Sequence, residues 1–576
     1  MNMSGKLVPS RFLYKIFYLL SGLIIFNMPV KVSAQKLSVK AQQGAVVSID
    51  EYASKVGVEI LKNGGNAVDA AVATAFALAV THPFAGNLGG GGFMLIRLAN
   101  GEEVGVDFRE MAPAKATADM FLKPDGTVDT EKSNYGYLVA GVPGTVKGLE
   151  AVWKKYGTLP WKTLLKPAIN LAEKGVYLNK YDAASLEKNA KNLARYPESV
   201  KTFFKPDGTT YTATDLFVQK DLAQTLKAIS RYGARTFYEG RIANKMVRDF
   251  RKNGGILKKS DLKKYEAKFR KPVKGTFAGY DIIGMPLPSS GGIAVQEMLN
   301  VLQLLKLDTQ KPLAPQNLHL LIETMRHVFL DRTRYLGDAD FVEVPVLKLL
   351  APQHAIATVR KINPDKATPS KELSSKVLVH DENIETTHFS VIDKQGNMVS
   401  TTITLEEAFG SKAVVKGLGF LLNNQMHDFN INPKQANFKG IAGANPNGIE
   451  PYKRMLSSMA PTLVLKDGKP YLITGSPGGR TILNTVMQMI LATSVYNLTL
   501  HEAMQMPRLS HHWMPDLVYI EKGKWDPSII KALQAKGHTF TEVDFLGDAH
   551  SILIDPKTGI YQGEADPRRA GWAEGY

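Results

Sequence analysis

Two stretches of alternating, β-branched sequence, each bent over a tight turn, constrain this chain more than any other feature. The first is TTHFSVIDKQGNMVSTTIT, residues 386–404. Its strand-like runs flank Asp393-Lys394-Gln395-Gly396-Asn397, a cluster of turn formers. The second is APTLVLKDGKPYLITGSPGG, residues 460–479, which turns at Asp467-Gly468. Local hairpins of this kind require an antiparallel sheet. The segments around them carry helical periodicity: WKTLLKPAINLAEKG, KDLAQTLKAISRYG, SSGGIAVQEMLNVLQLL, LHLLIETMRHVFLDRTRYLG and RTILNTVMQMILATSVYN. Hairpin-built sheets with helices outside predict an α/β chain arranged as a four-layer αββα sandwich. At 576 residues the chain is long enough to bury a large core.

The remaining segments fit this plan. Residues 44–60 and 66–81 read as two helices joined by KNGGN, with Asn66 as the second N-cap. AVDAAVATAFALAV is apolar around its whole circumference, which predicts a buried helix. Residues 86–110 read as a glycine-rich approach, a strand, an Asn-Gly turn and a second strand ending at Arg109. The four consecutive glycines lack the Gly-Lys-Ser/Thr of a phosphate loop, so close backbone packing is their expected role. Residues 143–265 read as mainly helical. Residues 362–385, INPDKATPSKELSSKVLVHDENIE, lose apolar periodicity and read as an exposed connector. That connector ends at the doubled Thr386-Thr387. In a plain hairpin two threonines are only β-propensity; in a self-cleaving enzyme the first would be a nucleophile.

The N-terminus differs in character. Lys6, Arg11 and Lys15 precede FYLLSGLIIF, and Val32-Ser33-Ala34 follows. The apolar run is shorter than the roughly 20 residues a membrane span needs. Residues 1–34 therefore read as a secretory signal peptide cut after Ala34, which implies export to the periplasm or beyond. The chain has no cysteine, which excludes thiol catalysis, disulfides and thiolate metal sites. The formal charge is +17, and loss of Lys6, Arg11, Lys15 and Lys31 with the signal leaves about +13. The lysines alternate with acids and apolar residues, as in RKNGGILKKSDLKKYEAKFRKPVKG, so they read as solvated helical faces and not as a nucleic-acid surface.

Four motifs bear on chemistry. In TGSPGGRTILN a strand stops, Gly478-Gly479 follow, and a helix begins. Such a turn either presents backbone N–H groups to an anion or is simply tight. In RMLSSMAPT, Ser457 and Ser458 precede a strand, where paired hydroxyls bind a carboxylate or satisfy local backbone. Arg109 sits beside Asp107 and Glu110, in the pattern of an ion pair. NNQMHDF brings Asn424, Gln425 and Asp428 together after a strand, as a turn does. Taken together, a guanidinium and two hydroxyls suit a carboxylate. A carboxylate with amides suits an ammonium, and an oxyanion turn beside a threonine suits acyl transfer. A site that holds both ends of an amino acid while attacking an acyl carbon is a γ-glutamyl site.

These residues resemble the γ-glutamyltransferases (glutathione hydrolases) of the N-terminal-nucleophile hydrolase superfamily. The resemblance spans EILKNGGNAVDAAVATAFALAVTHP, GNLGGGGFML, DFREMAPAKAT and PSSGGIAVQEML. It is most specific in TTHFSVIDKQGN, LLNNQMHDF, LSSMAPT, TGSPGG and EADPR. It implies self-cleavage between Glu385 and Thr386 into a large subunit, 35–385, and a small one, 386–576, which pair as a heterodimer in one αββα unit. It further implies Thr386 as nucleophile, with Thr404 supporting it. Arg109, Ser457 and Ser458 would bind the donor α-carboxylate, Gln425 and Asp428 the α-amino group, and Gly478 and Gly479 the oxyanion. Glu406 stands where many members have Asn, and amino-group recognition would pass to it. Met455 stands where many have Pro. Residues 430–449 resemble the substrate lid of some members, with Phe438 as the candidate gating aromatic. The implied donors are glutathione and other γ-glutamyl compounds. The acceptors are water, amino acids or peptides, and no metal or organic cofactor is implied. The alternatives are a cephalosporin or glutaryl acylase, a poly-γ-glutamate depolymerase, or an inactive exported binding protein.

Overall fold

The computed structural model describes Met1 and residues 35–374, 385–432 and 445–576. The signal-peptide reading falls outside these residues, Met1 apart. No helix among the described residues is long and apolar enough to cross a membrane.

Two seven-stranded antiparallel sheets make the centre. The first runs, edge to edge, through Trp572–Gly575, Gly44–Ser48, Thr387–Asp393, Met398–Thr404, Gly91–Arg97, Glu103–Asp107 and Lys268–Arg270. The second runs through Ser38–Ala41, Tyr561–Ala565, His550–Ile554, Lys469–Thr474, Thr462–Lys466, Tyr280–Gly284 and Val273–Phe277. Both expected hairpins are present, one in each sheet.

Strand alternation explains the layering. In Thr387–Asp393, Ile392 faces the second sheet and packs with Val47, Leu95, Leu463, Ile473 and Ile552. Phe389 and Val391 face the other way, towards the helices Glu51–Lys62 and Ala67–Thr81. On the far side, Ile282, Val464 and Leu472 pack under the helices Gly291–Leu304 and Thr481–Ser494. The order is helix, sheet, sheet, helix, the predicted αββα sandwich. Each fully buried Val, Leu or Ile in these layers contributes roughly 1.5–3 kcal/mol.

The helix 67–81 is buried at every position, and Asn66 caps it reciprocally with Asp69. Two local expectations need correction. Residues 44–48 are a strand, not helix; the helix begins at Glu51 because Asp50 accepts the Ala53 N–H as its N-cap. The first half of the connector is exposed at most positions, as expected, but it is docked at Ser370, which is buried: its N–H donates to Asp516 at 2.7 Å, and its carbonyl accepts Trp513 Nε1 at 3.1 Å. Residues 375–384 lie outside the described residues, as do 433–444 with Phe438. The flanks of that second segment meet, since Asn430 N donates to Asn447 O at 2.8 Å.

Candidate active site

The hairpin register fixes the centre of the site. Thr387 pairs with Ile403, so the next rung sets Thr386 beside Thr404. Their hydroxyl oxygens are 3.3 Å apart. On its other side Thr404 pairs with Gly91, and Asn87 Nδ2 donates to its carbonyl at 2.9 Å. A Cβ at Gly90 would lie 2.2 Å from Thr404 O. The glycine run therefore lets a neighbouring backbone close against the end of this strand, as expected from sequence.

The chain is continuous through Glu385, whose carbonyl oxygen accepts from Thr386 Oγ1 at 2.7 Å and from Thr404 Oγ1 at 3.0 Å. The Thr404 hydroxyl in turn accepts the Glu406 N–H at 2.9 Å, which directs its own proton towards that carbonyl. The turn that brings this N–H round leaves Glu406 at φ 85°. A non-glycine residue held there stores strain, of the kind found at functional sites. The Glu385 side chain lies against Arg569 Nη2 at 3.3 Å, so the residue that follows the EADPR segment reaches this junction.

Opposite charges meet a short distance away. Arg109 follows the strand Glu103–Asp107, is fully buried, and has its Nε 3.3 Å from Met455 O. Its Nη2 pairs with Asp428 Oδ2. The same oxygen accepts Gln425 Nε2 at 2.6 Å. Asn447 Nδ2 donates to the Asp428 carbonyl at 2.7 Å and fixes the loop. Glu110 Oε2 stands 3.6 Å from Arg109 Nη1. Burial pushes the Glu110 carboxyl up to about 8 despite that guanidinium, so it holds its proton at neutral pH and Asp428 carries the balancing charge. Burial also pushes Glu406 up to about 7, with His427 opposing. Arg109 Nη1 is buried without a hydrogen-bond partner. A guanidinium with an unfilled donor can take a further carboxylate.

Ser457 and Ser458 close the same pocket. The Ser457 carbonyl accepts Ser290 N at 2.7 Å and Ser290 Oγ at 2.8 Å. Ser457 Oγ accepts the Met459 N–H at 3.1 Å, so local backbone satisfaction is part of its role. Ser458 Oγ accepts Arg332 Nη2 at 2.8 Å, and Arg332 Nε donates to Ser290 Oγ at 3.0 Å. Gly478 and Gly479 turn from strand to helix at φ 129° and 54°. A Cβ at Gly478 would sit 2.4 Å from Thr481 Oγ1, which donates to the Gly478 carbonyl at 2.7 Å. Only glycine fits that turn.

One cleft gathers these parts. Arg109, Thr386, Thr404, Glu406, Gln425, Asp428, Ser457, Ser458 and Gly479 line a cleft of about 260 Å³, counted out into open solvent, with Met459 and Ile482. Gly478 stands one residue behind the wall, and Glu385 lies behind Thr386. Sequence reading missed Met459, Ile482, His427 and Arg332, and it took Glu110 only as an ion-pair neighbour of Arg109. Met459 adjoins the serine pair and Ile482 opens the helix after the glycines, so proximity in sequence could have found them. Arg332 lies in a helix that is mostly buried and gives no local signal. The arrangement can attack an acyl carbon with a hydroxyl, meet the resulting oxyanion with backbone N–H groups, and hold an amino acid by both charges.

Residues 53–576 match the family described as gamma-glutamyltranspeptidase. The glutathione hydrolase proenzyme of Escherichia coli (strain K12) is 44% identical over 530 residues, covering 92% of this chain and 91% of that one. Among solved structures, the cephalosporin acylase from Bacillus halodurans superposes with TM-score 0.83 at 26% identity, over 96% of this chain and 99% of that one. The Helicobacter pylori gamma-glutamyltranspeptidase superposes with TM-score 0.56 at 48% identity, over 60% of this chain and 96% of that one. With this similarity over nearly its full length, the chain belongs to the γ-glutamyltranspeptidase family.

Proposed function

We propose that the protein is a self-processing γ-glutamyltransferase and glutathione hydrolase whose nucleophile is Thr386. The observation that carries this reading is the placement of the Thr386 hydroxyl between the Glu385 carbonyl, at 2.7 Å, and Thr404, at the mouth of a cleft holding Arg109 and Asp428. In the precursor, Thr386 Oγ attacks the Glu385 carbonyl carbon and Thr404 donates to the carbonyl oxygen. The C–N bond breaks, the proton passes to the freed amine, and an ester links Glu385 to Thr386. Water hydrolyses that ester. The products are a large subunit, 35–385, and a small one, 386–576, which stay paired as a heterodimer. The H. pylori chain, matched almost end to end over 60% of this chain, fits the share a large subunit would make.

The freed Thr386 amine, with an ordinary pKa of about 7.7–8.0, is a base placed on the nucleophile itself. Arg109, Ser457 and Ser458 take the donor α-carboxylate, while Asp428, Gln425 and Glu406 take the α-ammonium. Thr386 attacks the γ-carbonyl, the N–H groups of Gly478 and Gly479 meet the oxyanion, and the amine product leaves. Water then gives glutamate, or an amino acid or peptide amine gives a new γ-glutamyl amide. Export to the periplasm or beyond rests on residues 1–34.

The test is twofold. The smaller chain of an active preparation should begin Thr-Thr-His. Incubation with glutathione should release cysteinylglycine and glutamate, and added glycylglycine should give its γ-glutamyl product. An uncut chain, or no turnover of glutathione, would refute the reading. The acylase reading is favoured by the superposition on the cephalosporin acylase. The Arg109–Asp428 cradle opposes it, because a glutaryl group has no ammonium for Asp428. A wild-type preference for a glutaryl donor would reverse that choice. The third reading, an exported binding protein without chemistry, predicts an intact chain and no acyl-enzyme by mass spectrometry.

A further inference from the structure

Away from the active site, three helices on the outer face of the second sheet bring together a second set of reactive side chains. Glu297 comes from Gly291–Leu304, Asp331 from Pro315–Tyr335 and His354 from Pro352–Val359. His354 Nε2 lies 3.0 Å from Glu297 Oε1 and 3.0 Å from Asp331 Oδ2. All three ligand atoms fall within 4.8 Å of one another. A single imidazole N–H reaches both carboxylates only by sharing its proton in a three-centre bond, whereas a cation would bind all three atoms directly. Bonds of about 2.0–2.2 Å to a tetrahedral cation set neighbouring ligand atoms roughly 3.3–3.5 Å apart, so the two His354 contacts would need to open by only a few tenths of an ångström.

We propose that Glu297, Asp331 and His354 bind one divalent transition-metal cation of the zinc type, which clamps these three helices together. The donor set selects the class. An imidazole nitrogen with two carboxylates suits zinc, cobalt, nickel or manganese, whereas magnesium and calcium take oxygen ligands throughout. Asp331 Oδ1, the oxygen turned away from His354, lies 3.8 Å from Arg334 Nη1, so the cation would take Oδ2. Glu297 is 2% exposed, so little water competes there for its carboxylate. The Asp331 and His354 side chains are 13% and 19% exposed, which leaves a way in and room for a water as fourth ligand. His327, one helical turn before Asp331, is buried with no hydrogen-bond partner for its Nε2, which marks this helix face as under-satisfied. The neighbour of Asp331 in sequence is Arg332, whose guanidinium holds Ser458. The clamp would therefore brace the helix that supports the active-site wall without joining the chemistry.

The full chain, stripped with a chelator and dialysed, is titrated with zinc, cobalt, magnesium or calcium chloride. Bound metal is counted and thermal unfolding recorded. One zinc per chain should bind and raise the unfolding midpoint, with magnesium and calcium inert at the same concentration. Cobalt should give visible d–d absorption. Glu297→Gln and His354→Gln should each weaken zinc binding at least tenfold, a loss of about 1.4 kcal/mol, and His354→Gln should shift the cobalt spectrum. His354 is partly exposed, so that variant reports on the site even if Glu297→Gln folds poorly. Equal zinc affinity in wild type and His354→Gln would place the ion elsewhere and overturn the proposal. So would a stripped protein that takes up no zinc, or a cobalt spectrum that His354→Gln leaves unchanged.

Discussion

Replacing Asp428 by Asn keeps the shape of the side chain and removes the charge that faces Arg109. Two consequences separate. If Asp428 binds the donor ammonium, glutathione loses a charge-assisted hydrogen bond worth about 1.5–3 kcal/mol. That is roughly a 10- to 150-fold fall in kcat/KM. A glutaryl amide donor, which has no ammonium, should lose far less. The second consequence concerns the empty protein. A buried arginine stripped of its partner usually costs about 3–5 kcal/mol. Here Glu110 Oε2 waits 3.6 Å from Arg109 Nη1, with its carboxyl pushed up to about 8 by burial. Ionising it at pH 7 costs about one pKa unit, or ~1.4 kcal/mol. The negative charge of Asp428 is one of the causes that raise Glu110, so its removal makes that ionisation easier still. The stability loss should thus stay below ~1.4 kcal/mol at pH 7 and shrink at pH 8. The assay is kcat/KM for glutathione and for a glutaryl amide in both proteins, with denaturant unfolding at pH 7 and 8. Equal losses for the two donors would mean that Asp428 only shapes its loop. A stability loss of 3 kcal/mol or more would mean that Glu110 does not take over.

Thr404→Val removes the donor to the Glu385 carbonyl while keeping the side-chain volume. Self-cleavage, followed as loss of the intact precursor mass, should slow by about 10²- to 10³-fold, the usual effect of losing one oxyanion donor. Gly478→Ala must place a methyl 2.4 Å from Thr481 Oγ1 at φ 129°; turnover by protein already processed should fall about 10²-fold or more, with a smaller change in KM. Glu406 has a carboxyl raised from 4.5 to about 7 by burial, partly offset by His427. Between these values the folded protein holds a proton that the unfolded chain releases, so stability should fall as pH rises through that window. Glu406→Gln should remove at most ~3.4 kcal/mol of this change across the window, measured as denaturant midpoints from pH 4.5 to 8. An unchanged slope would mean that Glu406 is ordinary in the folded state.

Both hairpins, the buried helix 67–81 and the helices after Ser290 and Arg480 were legible because period-2 or period-3.6 patterns and turn residues agree there. Gly44–Ser48 was misread because all five of its residues are buried. A strand with neighbours on both sides and layers on both faces shows no alternation, and GAVVS runs straight into an amphipathic helix. The terminal strands His550–Ile554, Tyr561–Ala565 and Trp572–Gly575 were also not read from periodicity; the last two carry glycine and polar residues and find partners more than 500 positions away. The residues expected at the site do converge, but their convergence is a property of register and sheet order. Thr386 and Thr404 could be placed side by side from the hairpin alone. The pairing of Arg109 with Asp428 could not, because 319 residues separate them. Arg332 escaped notice and Glu110 was read only as a surface ion-pair neighbour of Arg109, because a buried arginine and a buried protonated glutamate look, in sequence, like any surface charge.

The order of strands in the first sheet governs what a cut at residue 385 can and cannot do. The hairpin that starts at Thr387 lies between Gly44–Ser48 and Gly91–Arg97, and Trp572–Gly575 lies outside Gly44–Ser48. Segments from before and after the junction alternate like the fingers of folded hands. A nick would not create two bodies with a face between them. Parting the pieces means tearing ladders on both flanks of the hairpin and again at the sheet's edge, with the apolar faces of both fragments bared to water. Once torn, each fragment keeps its internal ladders but lacks the partners at these seams, and the covalent tether that first drew them into register is gone. Such a nicked molecule should hold together through ordinary handling, yet fail to reform after complete unfolding, so that its endurance is set by the rate of opening and not by an equilibrium.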